Sequence, residues 1–243
     1  MAFYEEISKY YDYIFPVSMN TVEFLRRTSG NPPKSILDVA CGTGGYSMEL
    51  CKHGYDVTAV DIDKNMIENL AIKAQNLNGK LKFLHANMLG LKEKFHGNKF
   101  DTVFCIGNSL VHLDNLTQIK EFISDVKDII GSNGSLIIQV INYDRVISKD
   151  IKSLPTIFNE EAGLTFERLY RYDRVENKVY FKTVLSVDNQ KYDNEIPLYP
   201  LLYDDIKNVF SDNGYEKIEF FGDFNGGSFD KNNSFMMVLV ASV

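Results

Sequence analysis

The sequence has few cysteines and histidines, and none of them follow the spacing of a metal site. Its three cysteines, Cys41, Cys51 and Cys105, are odd in number and form no pattern typical of metal ligands or a disulfide framework. The four histidines are scattered along the chain. We therefore expect reduced thiols and no bound metal.

Excess positive charge and long apolar runs are also missing. Asp and Glu outnumber Lys and Arg by 33 to 26, whereas proteins that bind a phosphate backbone need clustered basic residues. No apolar run approaches the roughly 20 residues that cross a bilayer. The first residues show neither the basic nor the apolar region of an export signal. We expect no nucleic-acid partner, no membrane partner and a cytoplasmic location.

What the chain does contain is a regular alternation of short apolar runs with helical patterns. The apolar runs at 35–40, 57–61, 81–86, 100–106 and 135–141 predict strands, and the segments 45–53, 63–76 and 115–130 predict helices. Such alternation is typical of βαβ units, whose parallel strands are buried on both faces. The sequence therefore predicts an α/β fold.

The two ends of the chain and one insertion depart from this alternation. Residues 5–13 and 20–28 predict two short helices, and residues 166–175, 178–187 and 193–199 predict antiparallel strands. A helix at 204–213 and strands at 215–221 and 235–241 complete the pattern. We expect one domain over 1–243, with a helical segment at 1–30, a core at 31–144 and 201–243, and a β-rich insertion at 145–200.

A glycine-rich turn lies between the first predicted strand and the following helix. It reads Asp-Val-Ala-Cys-Gly-Thr-Gly-Gly over 38–45, and its glycines allow a sharp turn and close approach to a ligand. A NAD-dependent enzyme carries Gly-x-Gly-x-x-Gly at this place, but here Ser47 occupies the third glycine position. Asp38 would repel a pyrophosphate, so the turn favours a cationic ligand that has an ammonium group and no phosphate.

A carboxylate ends the second predicted strand. Asp61 lies 17 residues after Gly44, where an acidic side chain can accept hydrogen bonds from both hydroxyls of a ribose. Asp63 is better placed as the N-cap of the next helix. Asp61 is therefore a candidate ribose ligand.

These two motifs together resemble those of the class I S-adenosylmethionine-dependent methyltransferases. The resemblance implies a Rossmann-like, mostly parallel seven-stranded sheet of order 3-2-1-4-5-7-6, with helices on both faces and an inserted antiparallel β lid over the substrate. It implies S-adenosyl-L-methionine as cofactor and S-adenosyl-L-homocysteine as product.

The resemblance also assigns residues to the cofactor. Gly42 and Gly44 would pass under its methionine part, with Asp38 near the ammonium group. Asp61 would bind the ribose. The remaining cofactor-binding residues that it implies are Ala40, Ile62, Asn87, Met88 and Ile106. Of these, Ile62 would contact the adenine, and Asn87 replaces the Asp that relatives usually carry.

Residues 107–113 and the Asn-Tyr-Asp at 142–144 look like the glycine and sarcosine N-methyltransferase branch. The match implies that His112 and Asn108 face the substrate as catalytic residues and that Tyr13 covers the methyl group. Nucleic-acid methyltransferases that act on amino groups carry an Asn/Asp-Pro-Pro-Tyr type motif after the fourth strand, which this chain lacks.

One position departs from that branch. The arginine that clamps an amino-acid carboxylate directly before Asn-Tyr-Asp is replaced by Ile141. Other arginines could supply a clamp from the insertion, although a solvated hairpin surface is the favoured interpretation for them: Arg145, Arg168, Arg171 and Arg174.

The sequence therefore predicts a methyltransferase that transfers a methyl group to N or O of a small molecule by in-line displacement, with His112 as the candidate base. We expect a monomer or homodimer. A non-catalytic S-adenosylmethionine-binding protein and, less favoured, a NAD-dependent enzyme remain alternatives.

Overall fold

A computed structural model describes residues 2–243, with side chains described from residue 7 onward. In that part of the chain, the helices are α1 (Ala2–Ile14), α2 (Met19–Ser29), α3 (Gly45–Lys52), α4 (Lys64–Lys73), α5 (Leu91–Lys94), α6 (Leu116–Ile129), α7 (Tyr143–Ser148) and α8 (Tyr203–Asp212). The strands are β1 (Ser35–Val39), β2 (Asp56–Asp61), β3 (Lys80–His85), β4 (Phe100–Cys105), β5 (Ile130–Ile141), β6 (Ser153–Asn159), β7 (Leu164–Asp173), β8 (Lys178–Val187), β9 (Gln190–Leu198), β10 (Lys217–Phe221) and β11 (Met236–Ser242).

Seven of these strands form the main sheet, in the order β10-β11-β5-β4-β1-β2-β3. Strands β1 to β5 pair in parallel, and β11 pairs antiparallel with both β5 and β10. Since β10 and β11 are the sixth and seventh strands of this sheet along the chain, the predicted order 3-2-1-4-5-7-6 is confirmed.

Helices cover both faces of the main sheet, as its continuous apolar strands require. One apolar cluster joins α2 and α3 to side chains such as Ile36 and Phe104. On the other face α6 buries Ile119, Phe122 and Val126 at helical spacing. The α/β fold class is therefore confirmed.

The predicted start of α4 and the predicted end of α3 both agree with the structure. The side chain of Asp63 caps α4 by accepting hydrogen bonds from the backbone N–H groups of Asn65 and Met66. Gly54 follows the end of α3 with φ of +90°, a conformation that glycine adopts readily.

The insertion forms a second sheet of four antiparallel strands, β6-β7-β8-β9. The predicted hairpin at 166–187 is present, but the third run begins at Gln190 rather than 193. Strand β6 was not predicted. It contains Pro155, and its pairing with β7 is irregular between Leu154 and Ile157, so a proline can sit there without breaking the ladder.

Further differences from the expected elements are local. The helices α5 and α7 are only four and six residues long and were not predicted. Strand β5 begins at Ile130 instead of 135 because Ile130 already pairs with Phe100 of β4. A short 3₁₀ turn, Leu110–His112, follows β4.

The second sheet lies across the end of the main sheet where the glycine-rich turn emerges. One part of its inner face packs on α1 through Phe166 and Leu185, which share a cluster with Ile14. The other part joins the main core through Tyr170 and Val179. No helix in the described part of the chain is long and apolar enough to span a bilayer.

Candidate active site

The glycine-rich turn is built from three left-handed residues. Ala40, Gly42 and Gly44 have φ of 60°, 56° and 74°. Such a φ is uncommon for alanine, and residues held in this way concentrate at functional sites. The turn is tied to the sheet by the N–H of Cys41, which donates to the carbonyl of Val60 at 3.0 Å.

Asp61 connects this turn to the start of α4. One carboxylate oxygen accepts from the N–H of Gly42 and the other from the N–H of Asp63, both at 2.8 Å. Burial raises the pKa of Asp61, and these two backbone hydrogen bonds oppose the rise. Each oxygen keeps a second lone pair for a ligand.

Asp38 is buried at the end of β1, and one oxygen accepts a hydrogen bond from the hydroxyl of Ser47 at 2.6 Å. Burial raises its pKa to about 7, although the bond from Ser47 works in the opposite direction. Ser47, which argued against a dinucleotide site, is therefore the partner of this carboxylate. A buried carboxylate without a countercharge favours binding of a cation.

Three cavities adjoin at Ala40, and each lies at the carboxyl ends of β1, β2, β4 or β5. The first, of 360 Å³, is lined on one side by Asp38 and the turn and on the other by α1, Gln139 and Phe224. The second, of 230 Å³, is lined by Ile62, Asn87 and Met88. The third, of 530 Å³, lies over Gly42, Asp61 and Ile62. Crevices at this edge of a parallel sheet are where open α/β folds bind ligands.

Comparisons with known proteins agree with this geometry. A family model described as a methyltransferase domain matches residues 36–134, which contain the turn, Asp61 and β1 to β4. A glycine/sarcosine N-methyltransferase of Parasynechococcus marenigrum is 28% identical over 216 residues, which are 83% of this chain and 70% of that protein.

Two further relatives extend the comparison. The glycine N-methyltransferase of Rattus norvegicus is 32% identical over 159 residues, covering 61% of this chain and 54% of its own length. The CcbJ methyltransferase of Streptomyces caelestis superposes with a TM-score of 0.82 at 17% identity, over 97% of this chain and 95% of that structure.

The protein is a class I S-adenosylmethionine-dependent methyltransferase. Its cofactor is S-adenosyl-L-methionine, which carries a sulfonium and an ammonium group. The two buried carboxylates, Asp38 and Asp61, fit such a cation. The comparisons therefore favour a methyltransferase over the alternative of a NAD-dependent enzyme.

The structure brings most of the predicted cofactor residues of the methyltransferase to the three cavities. Asp38, Ala40 and Ile106 line the first. The second and third are lined by Gly42, Asp61, Ile62, Asn87 and Met88. Ile62 borders both of these cavities and is 64% exposed, so its side chain is accessible to a ligand bound there. Gly44 lies behind the turn, where a side chain would meet Leu70.

Tyr13 is not brought to these cavities. It lies 41% exposed on the outer side of α1, where its carbonyl accepts from the amide of Asn159. Tyr11 takes the inner position instead: it lines the first and third cavities, and a side chain at Gly42 would approach its ring to 3.0 Å. The helical spacing could have indicated this, since Ile7, Tyr11 and Ile14 share one face of α1.

The side chain of Asn108 forms hydrogen bonds within the protein. Its amide oxygen accepts from the N–H of Ile141 at 2.9 Å, and its amide nitrogen donates to the hydroxyl of Tyr143 at 3.0 Å. With φ of +67°, it fixes the loop after β4 against the end of β5. A direct role in catalysis stays a prediction.

His112 faces the second and third cavities, together with Asp61 and Met88. Burial lowers its pKa, so the imidazole is neutral near pH 7. The first cavity is not lined by His112. This placement favours contact with the nucleoside side of the site, and the predicted role as base remains untested.

Gln139 and Phe224 were not predicted. Both line the first cavity, and the side-chain oxygen of Gln139 accepts from the N–H of Gly107 at 2.7 Å. Gln139 lies within an apolar strand pattern and Phe224 in the loop between β10 and β11. No sequence signal places either of them beside the glycine-rich turn.

Proposed function

We propose that this methyltransferase transfers a methyl group to the amine nitrogen of a small molecule by in-line displacement. The first cavity carries the proposal. Its 360 Å³ lie between the glycine-rich turn and the rings of Tyr11, Phe15 and Phe224. A space of this size, covered by α1, suits a metabolite rather than a macromolecular acceptor. The relatives named above as N-methyltransferases favour nitrogen over oxygen.

The residues around the turn would hold the cofactor. We propose that Asp38 faces its ammonium group, that Asp61 accepts from the ribose hydroxyls, and that Ile62 and Met88 contact the adenine. S-adenosylmethionine supplies an electrophilic methyl group on a positively charged sulfur. The protein then has to align the amine with that methyl group and to exclude water.

The second sheet, β6 to β9, would act as the substrate lid. It contacts α1 at one end and the 3₁₀ turn after β4 at the other, where the N–H of Tyr199 donates to the carbonyl of Val111 at 2.9 Å. These contacts close the space above the carboxyl ends of β4 and β5. An amine held there would be shielded from solvent.

The experiment is a turnover assay with S-adenosylmethionine and paired acceptors that differ only in carrying an amine or a hydroxyl. We expect S-adenosylhomocysteine and a product heavier by one methylene with the amines. Methylation of the hydroxyl members alone would reject the choice of nitrogen. Binding of the cofactor without turnover of any member would favour the non-catalytic alternative.

The same assay separates two roles for His112. If it is a base, His112→Ala lowers kcat and leaves the affinity for S-adenosylhomocysteine unchanged. If it contacts the nucleoside, the affinity for S-adenosylhomocysteine falls and kcat at saturating cofactor is retained. The position of His112 beside Asp61 leads us to expect the second result.

A further inference from the structure

The lid sheet carries a row of polar side chains on the face that it turns toward the core. Side chains alternate along β7, so Phe166, Arg168 and Tyr170 share one face. Phe166 and Tyr170 are buried in the α1 cluster and the main core. Arg168 therefore lies between two inward-facing rings, on the order of 7 Å from each along the strand.

The pairing register extends this row across the sheet. Arg168 is opposite Thr183 of β8, and Thr183 is opposite Asn194 of β9. Residues directly opposite one another in a ladder point to the same face. Thr183 is 4% exposed, whereas Arg168 and Asn194 are half-buried, so the row is buried at its centre and accessible at its two ends.

The guanidinium of Arg168 is only partly satisfied. One Nη donates to the carbonyl of Pro155 at 2.7 Å, while Nε is buried without a hydrogen-bond partner. None of the ion pairs between side chains of residues 7–243 involves Arg168. Buried polar groups are normally paired, so a partly buried cation in this state is suited to an anionic ligand.

The other arginines near the insertion are engaged elsewhere. Arg171 lies on the outer face of β7, where its guanidinium stacks over Tyr180 and approaches Glu195 at 3.6 Å. Arg145 stacks over Phe235. Arg174 is exposed in the turn between β7 and β8. The interpretation as a solvated surface therefore suits Arg171 and Arg174 but not Arg168.

The neighbours of Arg168 connect it to the first cavity. Phe166 contacts Phe15, which lines that cavity, with ring centroids 5.7 Å apart. On the other side, the ring of Tyr170 packs near that of Tyr143, with ring centroids 6.4 Å apart. Tyr143 in turn binds the amide of Asn108, next to the lining residue Gly107.

Electrostatics agree with this placement. Burial raises the pKa of Tyr170 to about 12, whereas its hydrogen bond with Tyr143 and the positive charge of Arg168 act to lower it. The phenol therefore stays protonated, and the site keeps the positive charge of the guanidinium. The lining of the first cavity, by contrast, contains Asp12 and Asp38.

We propose that Arg168, with Thr183 beside it, binds an anionic oxygen group of the methyl acceptor and thereby sets the specificity of the enzyme. The inference rests on the proposed function. It places a cation on the lid that is connected to the lining of the first cavity through Phe166 and Tyr170. An acceptor with an amine at one end and an anion at the other would reach from that cavity to the lid.

The test compares acceptors in pairs that differ by a methyl group in place of a carboxylate: ethylamine with glycine, propylamine with β-alanine, and butylamine with 4-aminobutyrate. Aminomethylphosphonate and 2-aminoethylphosphonate distinguish a phosphonate from a carboxylate. We expect the wild-type enzyme to prefer an anionic member. In Arg168→Met, kcat/KM for that member should fall by about 10- to 100-fold, as expected for loss of a charged hydrogen-bonding partner.

Controls separate recognition from a structural role. In Arg168→Met, kcat/KM for the alkylamine should change by less than about threefold, because the alkylamine has no anionic group to form a charged hydrogen bond with Arg168. Arg171→Met, on the outer face of the same strand, should leave kcat/KM unchanged for both acceptors of a pair. Arg168→Lys keeps the positive charge but not the paired N–H donors of the guanidinium, so it should show an intermediate loss of kcat/KM. It serves as the test variant if Arg168→Met does not fold.

Three results would overturn the proposal: preference of the wild type for the alkylamines, an equal loss on both members of a pair, or the same loss in Arg171→Met. Failure of the proposed function is distinguished by calorimetry of the S-adenosylhomocysteine complex with the same anions. Arg168-dependent binding without turnover rejects methylation of these amines and keeps the site. Absence of both turnover and binding rejects the site.

Discussion

At the scale of single residues, two carboxylates at the ends of neighbouring strands differ in their hydrogen-bond partners and in how burial affects them. Asp61 is held by two backbone N–H groups and positions the glycine-rich turn as well as facing the third cavity. Asp38 has one hydroxyl partner and a pKa raised to about 7 by burial. The first therefore anchors the turn and keeps lone pairs for a ligand, whereas the second changes its protonation state near neutral pH.

Replacing Asp61 should therefore affect both the ligand and the turn. In Asp61→Ala we expect the affinity for S-adenosylhomocysteine to fall by about 100-fold, since charged hydrogen bonds contribute about 1.5–3 kcal/mol each. Calorimetry measures the affinity. Asp56→Asn, at the exposed start of the same strand and paired with Lys80, is the matched control. Unchanged affinity in Asp61→Ala would reject the ribose assignment.

The pKa of Asp38 leads to a pH dependence of cofactor binding. Below about pH 7 this carboxyl is protonated in the free enzyme. A cation binds the ionised form, so the dissociation constant should rise by up to about tenfold per pH unit below pH 7 and level off above it. Calorimetric titrations of the enzyme with S-adenosylmethionine at pH values between 5.5 and 8.5 measure this dependence.

Two variants identify the titrating group. Asp38→Asn should remove the dependence. Ser47→Ala removes a hydrogen bond that lowers the pKa of Asp38, so it should move the midpoint to higher pH. A midpoint that stays in place in both variants would assign the titration to another group.

At the scale of elements, the helix α1 shows what periodicity can and cannot assign. Its inner face combines Ile7, Tyr11 and Ile14, and that face packs against the lid while Tyr11 covers the turn. Tyr13 was chosen from a motif match, and the helical period opposes that choice. The existence of the helix was predictable, and the ring that reaches the site depends on its rotation against the lid.

A matched pair of variants tests this assignment. Tyr11→Ala should weaken binding of S-adenosylhomocysteine and lower turnover, because its ring covers the turn at Gly42. Tyr13→Ala, two residues away on the outer face, should bind and turn over normally. Calorimetry and the methylation assay measure both. Equal effects in the two variants would contradict the placement of α1.

The sequence predicted the main sheet almost completely, because each buried strand is a continuous apolar run between breakers. Strand β6 was missed because Pro155 and its polar neighbours resemble a linker. The polar row through Arg168 could not be read from the chain. It depends on the register of β7 against β8 and on which face of the sheet meets α1, and both are set by packing between distant segments.

At the scale of the whole molecule, the lid is held by two separate apolar contacts. Phe166 is 1% exposed and joins it to α1, while Tyr170 joins it to the main core. The polar row lies between these two contacts. The geometry of the acceptor site therefore depends on both ends of the lid staying packed.

Truncation of Phe166 tests that dependence. Phe166→Ala should lower the free energy of unfolding by about 3–5 kcal/mol, the usual loss for a buried phenylalanine. Chemical denaturation measures the change. Phe158→Ala, on the same sheet but 73% exposed, should be close to neutral. A small loss in Phe166→Ala would show that α1 and the lid pack loosely.

The position of α1 also has a consequence for access to the first cavity. Tyr11 lies over the turn, and the neighbouring Asp12 accepts from the hydroxyl of Thr43 at 2.5 Å and pairs with Lys73 at 2.7 Å. These contacts tie α1 to the glycine-rich turn on one side and to α4 on the other. We therefore expect any movement of α1 to loosen the turn and to open the first cavity at the same time.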